Sequence, residues 1–263
     1  MTRLESTFAR LRADRQTGLV TYVTAGDPDL PRSAAILKAL DRAGADVLEF
    51  GVPFSDPLAD GPEIQRASER ALRAGTTLHG VLDLVALVRG DVTAPIVLFT
   101  YANPIVRMGE AAFAERAAAA GVDGVLVLDL PVEEAARTHE VLTANGLAMI
   151  FLLSPTTTNE RMAKAAALGR GFLYGISRLG VTGARDRVAE GAREMAGRIR
   201  AVTNLPLAIG FGISQPSHVR EVGEFADAAV VGSALVKIIR EAGSSEDVTG
   251  RVTAFVRALK GAS

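Results

Sequence analysis

The chain predicts a (β/α)8 TIM barrel with an extra N-terminal helix, one α/β domain over residues 1–263. Three observations carry that expectation. Eight short apolar runs recur along the sequence, and each is followed by a longer stretch with helical spacing. The runs are near-continuously apolar instead of alternating, as parallel strands covered on both faces are. Eight such units follow one another without a linker or low-complexity break, which fits closure into a barrel. The alternative, an open doubly wound sheet, usually carries a glycine-rich dinucleotide turn after its first strand, and Ala25-Gly26-Asp27-Pro28 does not supply one.

In order, MTRLESTFARLRADR reads as an amphipathic helix, and the strands are expected at Leu19 to Ala25, Asp46 to Val52, Pro95 to Tyr101, Gly124 to Leu130, Ala148 to Leu153, Gly171 to Ile176, Pro206 to Phe211 and Ala228 to Val231. Between them, Ile64, Ala67 and Ala71 lie on one helical face, and Val188, Ala192, Met195, Ile199 and Val202 on another. Val248, Val252, Phe255, Val256 and Leu259 form a third such face. Gly44, Gly121 and Gly146 sit where helices would end before strands begin.

An apolar fraction of 48% with 22% charged residues describes a globular chain able to bury a sizeable core. A formal charge of -1, with both signs mixed along the chain, provides no field for nucleic acid or anionic lipid. The absence of cysteine removes disulfides, thiolate chemistry and cysteine-based zinc sites. His79, His139 and His218 share no ligand spacing, so no metal site is expected. Neither a signal-peptide core nor a run of about 18 apolar residues is present, and the expected location is cytoplasmic.

Active sites of this fold collect at the C-terminal ends of the strands. There the stretch EFGVPFSDPLADGP interrupts the apolar pattern with Glu49, Asp56 and Asp60 among three prolines. A Glu between Leu48 and Phe50 points either into the barrel or out among the helices, where an arginine would pair with it. Burial without a partner would raise its pKa toward that of a working acid and base. Asp56 and Asp60 are equally readable as turn residues, with Asp60 near the N-cap of a helix that has Pro62 near N1.

Glycine turns after the last three strands, around Gly183, Gly212 and Gly232-Ser233, fit a phosphate held by backbone N–H groups; tight turns needing glycine for their own geometry are the alternative. The segment SRLGVTGARDR is a candidate lid, and Tyr174 in the sixth strand has its ring in or near the core.

The runs LEFGVPFSDPLADGPEIQ, YANPI, DLPVEE, YGISRLGVTGAR, IGFGIS and VVGSALVKII, taken together, resemble the tryptophan synthase alpha chain family across nearly the whole sequence. The second-strand motif is the specific one. The resemblance implies retro-aldol cleavage of indole-3-glycerol phosphate to indole and glyceraldehyde 3-phosphate, without a cofactor in this chain. It implies Glu49 as the proton donor and acceptor, Asp60 as the carboxylate at the indole nitrogen, and Tyr174 as a lining residue. Gly183, Phe211, Gly212, Gly232 and Ser233 match the phosphate turns, Thr182 a lid residue closing onto Asp60, and Asp56 a residue in communication with a partner. That partner would be a beta subunit carrying pyridoxal phosphate in an alpha2beta2 assembly. Competing readings are a stand-alone lyase releasing free indole, another phosphosugar barrel enzyme, and a silent regulatory barrel.

Overall fold

The computed structural model describes residues 1–176, 185–210, 212–243 and 247–261. Its strands are β1 (Gly18–Thr24), β2 (Val47–Gly51), β3 (Ile96–Thr100), β4 (Gly124–Val127), β5 (Ala148–Ile150), β6 (Leu152–Leu153), β7 (Leu173–Ile176), β8 (Leu207–Gly210) and β9 (Ala228–Val231). All described pairings are parallel, in the order β5-β4-β3-β2-β1-β9-β8-β7-β6. The two outermost members are halves of one extended segment interrupted at Phe151, whose carbonyl accepts from the Tyr174 N–H at 3.0 Å. Counting that segment once leaves eight strands around a barrel, as the sequence predicts.

The helices are α1 (Arg3–Ala13), α2 (Leu30–Arg42), α3 (Pro62–Arg73), α4 (Leu78–Val88), α5 (Ala102–Met108), α6 (Glu110–Ala120), α7 (Ala136–Ala144), α8 (Asn159–Leu168), α9 (Arg185–Arg200), α10 (Pro216–Gly223), α11 (Ser233–Ala242) and α12 (Val248–Lys260). Three expectations need correction. The fourth strand stops at Val127, short of Leu130, because the chain turns there and Asp129 accepts from the Ala102 N–H at 2.7 Å. The sixth begins at Leu173, since Gly171 has φ +75°, a conformation no strand continues. Val202 lies beyond the end of α9 and is 38% exposed.

Two apolar clusters divide the interior. One fills the space between strands and helices; the other fills the barrel, with Val20, Val97, Leu126, Ile150 and Ala208 among its members. Helix α1 closes the N-terminal end, with its box cap formed by Thr2 and Glu5 and with Leu4, Phe8 and Leu11 buried in the barrel cluster. The Phe8 and Phe172 rings lie 5.4 Å apart.

Beneath this plug sit three equivalent clasps that pattern reading overlooked. Asp46, Asp123 and Asp227 each stand one residue before a strand. Their N–H groups donate to the carbonyls of Leu19, Ile96 and Leu207, each at 2.8 Å. Their carboxylates accept from the N–H of the same three residues at 2.9, 2.9 and 2.8 Å. Each also meets an arginine of α1: Arg10 with Asp46 (2.6 Å), Arg3 with Asp123 (3.0 Å) and Arg12 with Asp227 (3.8 Å). Lys260 of α12, Arg200 of α9 and Arg89, the C-cap residue of α4, complete the set. The carboxylates thus join backbone, plug helix and outer ring at one end of the barrel.

Asp123→Ala leaves the Ile96 N–H without its carboxylate acceptor and the largely buried Arg89 with backbone carbonyls but no counter-charge from Asp123, and is expected to cost about 2–4 kcal/mol. Arg3→Ala removes a half-exposed partner and is expected to cost less than about 1 kcal/mol. Urea unfolding midpoints of the two variants check the ranking.

Candidate active site

At the opposite end of the barrel the acids have a different setting. Glu49 pairs in register with Tyr22 of β1 and Val97 of β3, both barrel-interior residues, whereas its chain neighbours Leu48 and Phe50 belong to the outer cluster. Its side chain therefore points into the barrel. It is fully buried, and neither carboxyl oxygen has a hydrogen-bond partner among the described residues. Among the described residues no arginine pairs with it. Burial alone pushes its pKa up to about 8.

Asp60 lies on the loop between β2 and α3. The N-cap of α3 is Gly61 with no side-chain cap, and Pro62 occupies N1, so the expected capping role of Asp60 is not made. Its Oδ2 instead accepts a 3.1 Å hydrogen bond from Tyr101 Oη, which itself accepts from the Ala59 N–H at 3.2 Å. Burial pushes the Asp60 pKa up to about 6, and the Tyr101 bond holds it from rising further. The helix that follows is anchored by Arg70, whose Nε and Nη2 grip both oxygens of the buried Asp27 at 2.8 and 2.7 Å.

All three tyrosines of the chain meet here, two of them unmarked by the sequence reading. Tyr22 and Tyr174 are buried, and desolvation holds both phenols well above their usual pKa, with Glu49 and Asp60 adding to the effect. Burial likewise raises Tyr101, ahead of the Asp60 charge. Two glycines make room: a Cβ at Gly51 would lie 2.2 Å from Tyr22 Oη, and one at Gly210 would lie 2.8 Å from Tyr174 Oη. No pattern of periodicity marks Tyr22 or Tyr101. The signal was compositional, since three tyrosines in 263 residues all fall within or just beyond a strand.

A cavity of about 460 Å³ opens above these groups, lined by Tyr22, Asp60, Phe99, Leu128 and Tyr174 on one part and by Gly212, Ser214, Gly232 and Ser233 on another. Gly212 has φ +64°, which favours glycine. Helix α11 starts at Ser233 without a side-chain cap, and the Val236 N–H is bonded to Gly232 at 3.0 Å. Its first-turn N–H groups are the ones a helix leaves without internal partners, which suits an anion. Thr182, Gly183 and Phe211 lie outside the described residues.

Asp56 is not brought to this cavity. It sits on the exposed face of the same loop, accepts from Ser55 Oγ at 2.5 Å, and lies two residues from Leu58, which is 91% exposed. Phe54 of that loop packs on the Tyr101 ring with centroids 5.0 Å apart. The described residues hold no cluster of three potential metal ligands, and His79, His139 and His218 are dispersed over α4, α7 and α10.

The family model for the tryptophan synthase alpha chain matches residues 8–263. Alpha chains from Geotalea daltonii and Gloeobacter violaceus are 48% and 47% identical over 260 and 262 residues, covering 99% of this chain and 98% and 95% of theirs. A crystal structure of the Legionella pneumophila alpha subunit superposes with a TM-score of 0.92 at 39% identity, covering 100% of this chain and 98% of that one. A Mycobacterium tuberculosis tryptophan synthase chain in an aminoacrylate-bound form superposes with a TM-score of 0.89 at 35% identity, covering 100% and 99%.

Because Glu49 binds its proton more tightly folded than unfolded, its contribution to stability is full below the unfolded pKa near 4.5 and is lost as pH rises toward about 8. Glu49→Gln should therefore gain stability relative to the parent by about 3 kcal/mol between pH 5 and pH 8, read from unfolding curves across that range. Tyr101→Phe removes the bond that restrains Asp60, and should move the Asp60 titration, followed by carboxyl NMR, above about 6.

Proposed function

The chain belongs to the tryptophan synthase alpha chain family, and on that premise we propose that its barrel mouth cleaves indole-3-glycerol phosphate to indole and glyceraldehyde 3-phosphate. One observation supports the residue assignment above the others: two carboxyls at one barrel mouth have pKa values pushed to about 8 and about 6 by their surroundings. Near neutral pH the first holds a proton and the second is largely ionised.

In this reading Glu49 delivers its proton to indole C3, giving an indoleninium cation, and the Asp60 carboxylate stabilises the positive charge at the ring nitrogen. The Glu49 carboxylate then takes the proton of the glycerol hydroxyl next to the scissile bond. That hydroxyl becomes the aldehyde carbonyl, the carbon–carbon bond breaks, and its electron pair returns to the ring to restore indole. Glu49 ends protonated as it began, so the sequence balances without a redox or metal cofactor from this chain. Tyr22, Phe99, Leu128 and Tyr174 supply apolar walls around the ring, and the turns at Gly212 and Gly232-Ser233 hold the phosphate, with Thr182, Gly183 and Phe211 assigned to the same site.

The loop bearing Asp56 and the exposed Leu58, with the 67% exposed Val106 on α5, supports a face for a beta subunit that carries pyridoxal phosphate and receives indole in an alpha2beta2 assembly. No single helix among the described residues is long and apolar enough to cross a membrane, and we assign the chain to the cytoplasm.

Indole release from indole-3-glycerol phosphate, assayed with and without a beta subunit, tests the reaction and separates the subunit from a stand-alone lyase. The profile of kcat/KM against pH should rise near 6 and fall near 8. Glu49→Gln and Asp60→Asn should each lower turnover by about a hundredfold or more while leaving phosphate-ligand affinity within about threefold. Near-normal turnover in either variant refutes the assignment.

A further inference from the structure

We propose that Lys237 is a phosphate-binding residue of this site, the cation that lets a phosphomonoester dianion enter a cavity whose described lining otherwise carries charge only as the carboxylates of Asp60 and Glu63. The proposal rests on the reading above and adds to it the lysine of the VVGSALVKII run, to which the sequence motifs and the glycine turns assign no role.

Among the described residues lining the cavity, Asp60 and Glu63 are acidic and Lys237 is the one cation, while Glu49 lies buried in the barrel beneath. A dianionic ligand in such a place meets repulsion unless a positive charge stands near its oxygens. Lys237 is positioned for this by helical geometry. It follows Ser233 by one turn of α11, so the two side chains share a face, and side chains on a helix lean toward its N-terminus. That direction is the uncapped first turn. From its place 3.9 Å from Glu241, the ammonium reaches that turn by rotation of its flexible stem, adding a mobile charge to N–H groups that already favour an anion.

The charges around Lys237 leave it available. Its carboxylate neighbour Glu241 is 3.9 Å away on the exposed helix surface, and Glu241 is also met by Arg240 at 3.6 Å and Arg251 at 3.7 Å. Such a long, exposed pair on one helix holds a lysine weakly. Glu63 is likewise committed elsewhere: Arg240 Nη1 donates to both its oxygens at 2.8 and 2.7 Å, and Arg66 Nη1 to one at 2.8 Å. With both nearby carboxylates balanced by arginines, Lys237 carries the surplus positive charge at this part of the wall.

The test compares Lys237→Met and Lys237→Arg with the parent chain, with the beta subunit present for turnover. Inorganic phosphate affinity is measured by calorimetry, and KM and kcat for indole-3-glycerol phosphate by indole release at two ionic strengths. The expected result for Lys237→Met is about a tenfold loss of phosphate affinity and about a tenfold rise in KM, with kcat within about twofold, and near-parent values for Lys237→Arg. The KM of the parent should rise more steeply with salt than that of Lys237→Met. Unchanged phosphate affinity in Lys237→Met overturns the proposal even if the parent cleaves its substrate normally. Failure of the parent to release indole would count against the reaction, and the phosphate calorimetry would still decide on Lys237.

Discussion

Three carboxylates placed one residue before a strand hold the barrel at the end away from its chemistry, and the rest of the molecule is arranged around that fixed end. A ring of parallel strands presents unpaired backbone groups where each strand starts. Asp46, Asp123 and Asp227 satisfy those groups at three points in the ring through their own N–H and carboxylate, and the arginines of α1 then tie the plug helix to the same acids. Each of these three acids is met by two cationic side chains, so they have little left to offer a ligand.

The C-terminal end inverts this arrangement. Glu49 is as deeply buried as any residue in the core, yet among the described residues it has no donor to stabilise its anion, and Asp60 has a single phenol. An uncompensated buried carboxyl costs stability when ionised, and it persists here because the closed sheet and the bound plug hold its position. Equal chemistry at the two ends therefore has opposite consequences, set by how many hydrogen-bond donors the fold brings to each carboxylate.

The order of strands and helices was legible because it is written in periodicity, which survives in a single sequence. Strand ends were less so: Val127 and Leu173 mark limits set by a side-chain hydrogen bond and a positive φ, neither of which alters the apolar run itself. Glu49 was visible as a charge inside a strand. That it faces inward follows only from the register with Tyr22 and Val97, and that no arginine meets it among the described residues follows only from the packing around it. The reading of Asp60 as a cap failed because the neighbouring glycine took the cap position, and its actual donor, Tyr101, lies 41 residues away. The aspartate clasps escaped notice for a related reason. An Asp before a strand looks like ordinary loop polarity until its partners on the adjacent strand and on α1 are known.

The gathering of the tyrosines has an optical consequence. The chain contains no tryptophan, and its three tyrosines all stand at the barrel mouth, two of them lining the cavity itself. Its near-ultraviolet signal beyond phenylalanine thus originates almost wholly from the residues around the ligand, so changes in that signal report on the site and hardly at all on the remainder of the fold. An indole ring formed or bound there would emit against a protein with no indole of its own, which makes the unlabelled chain a direct fluorescent readout of its own chemistry.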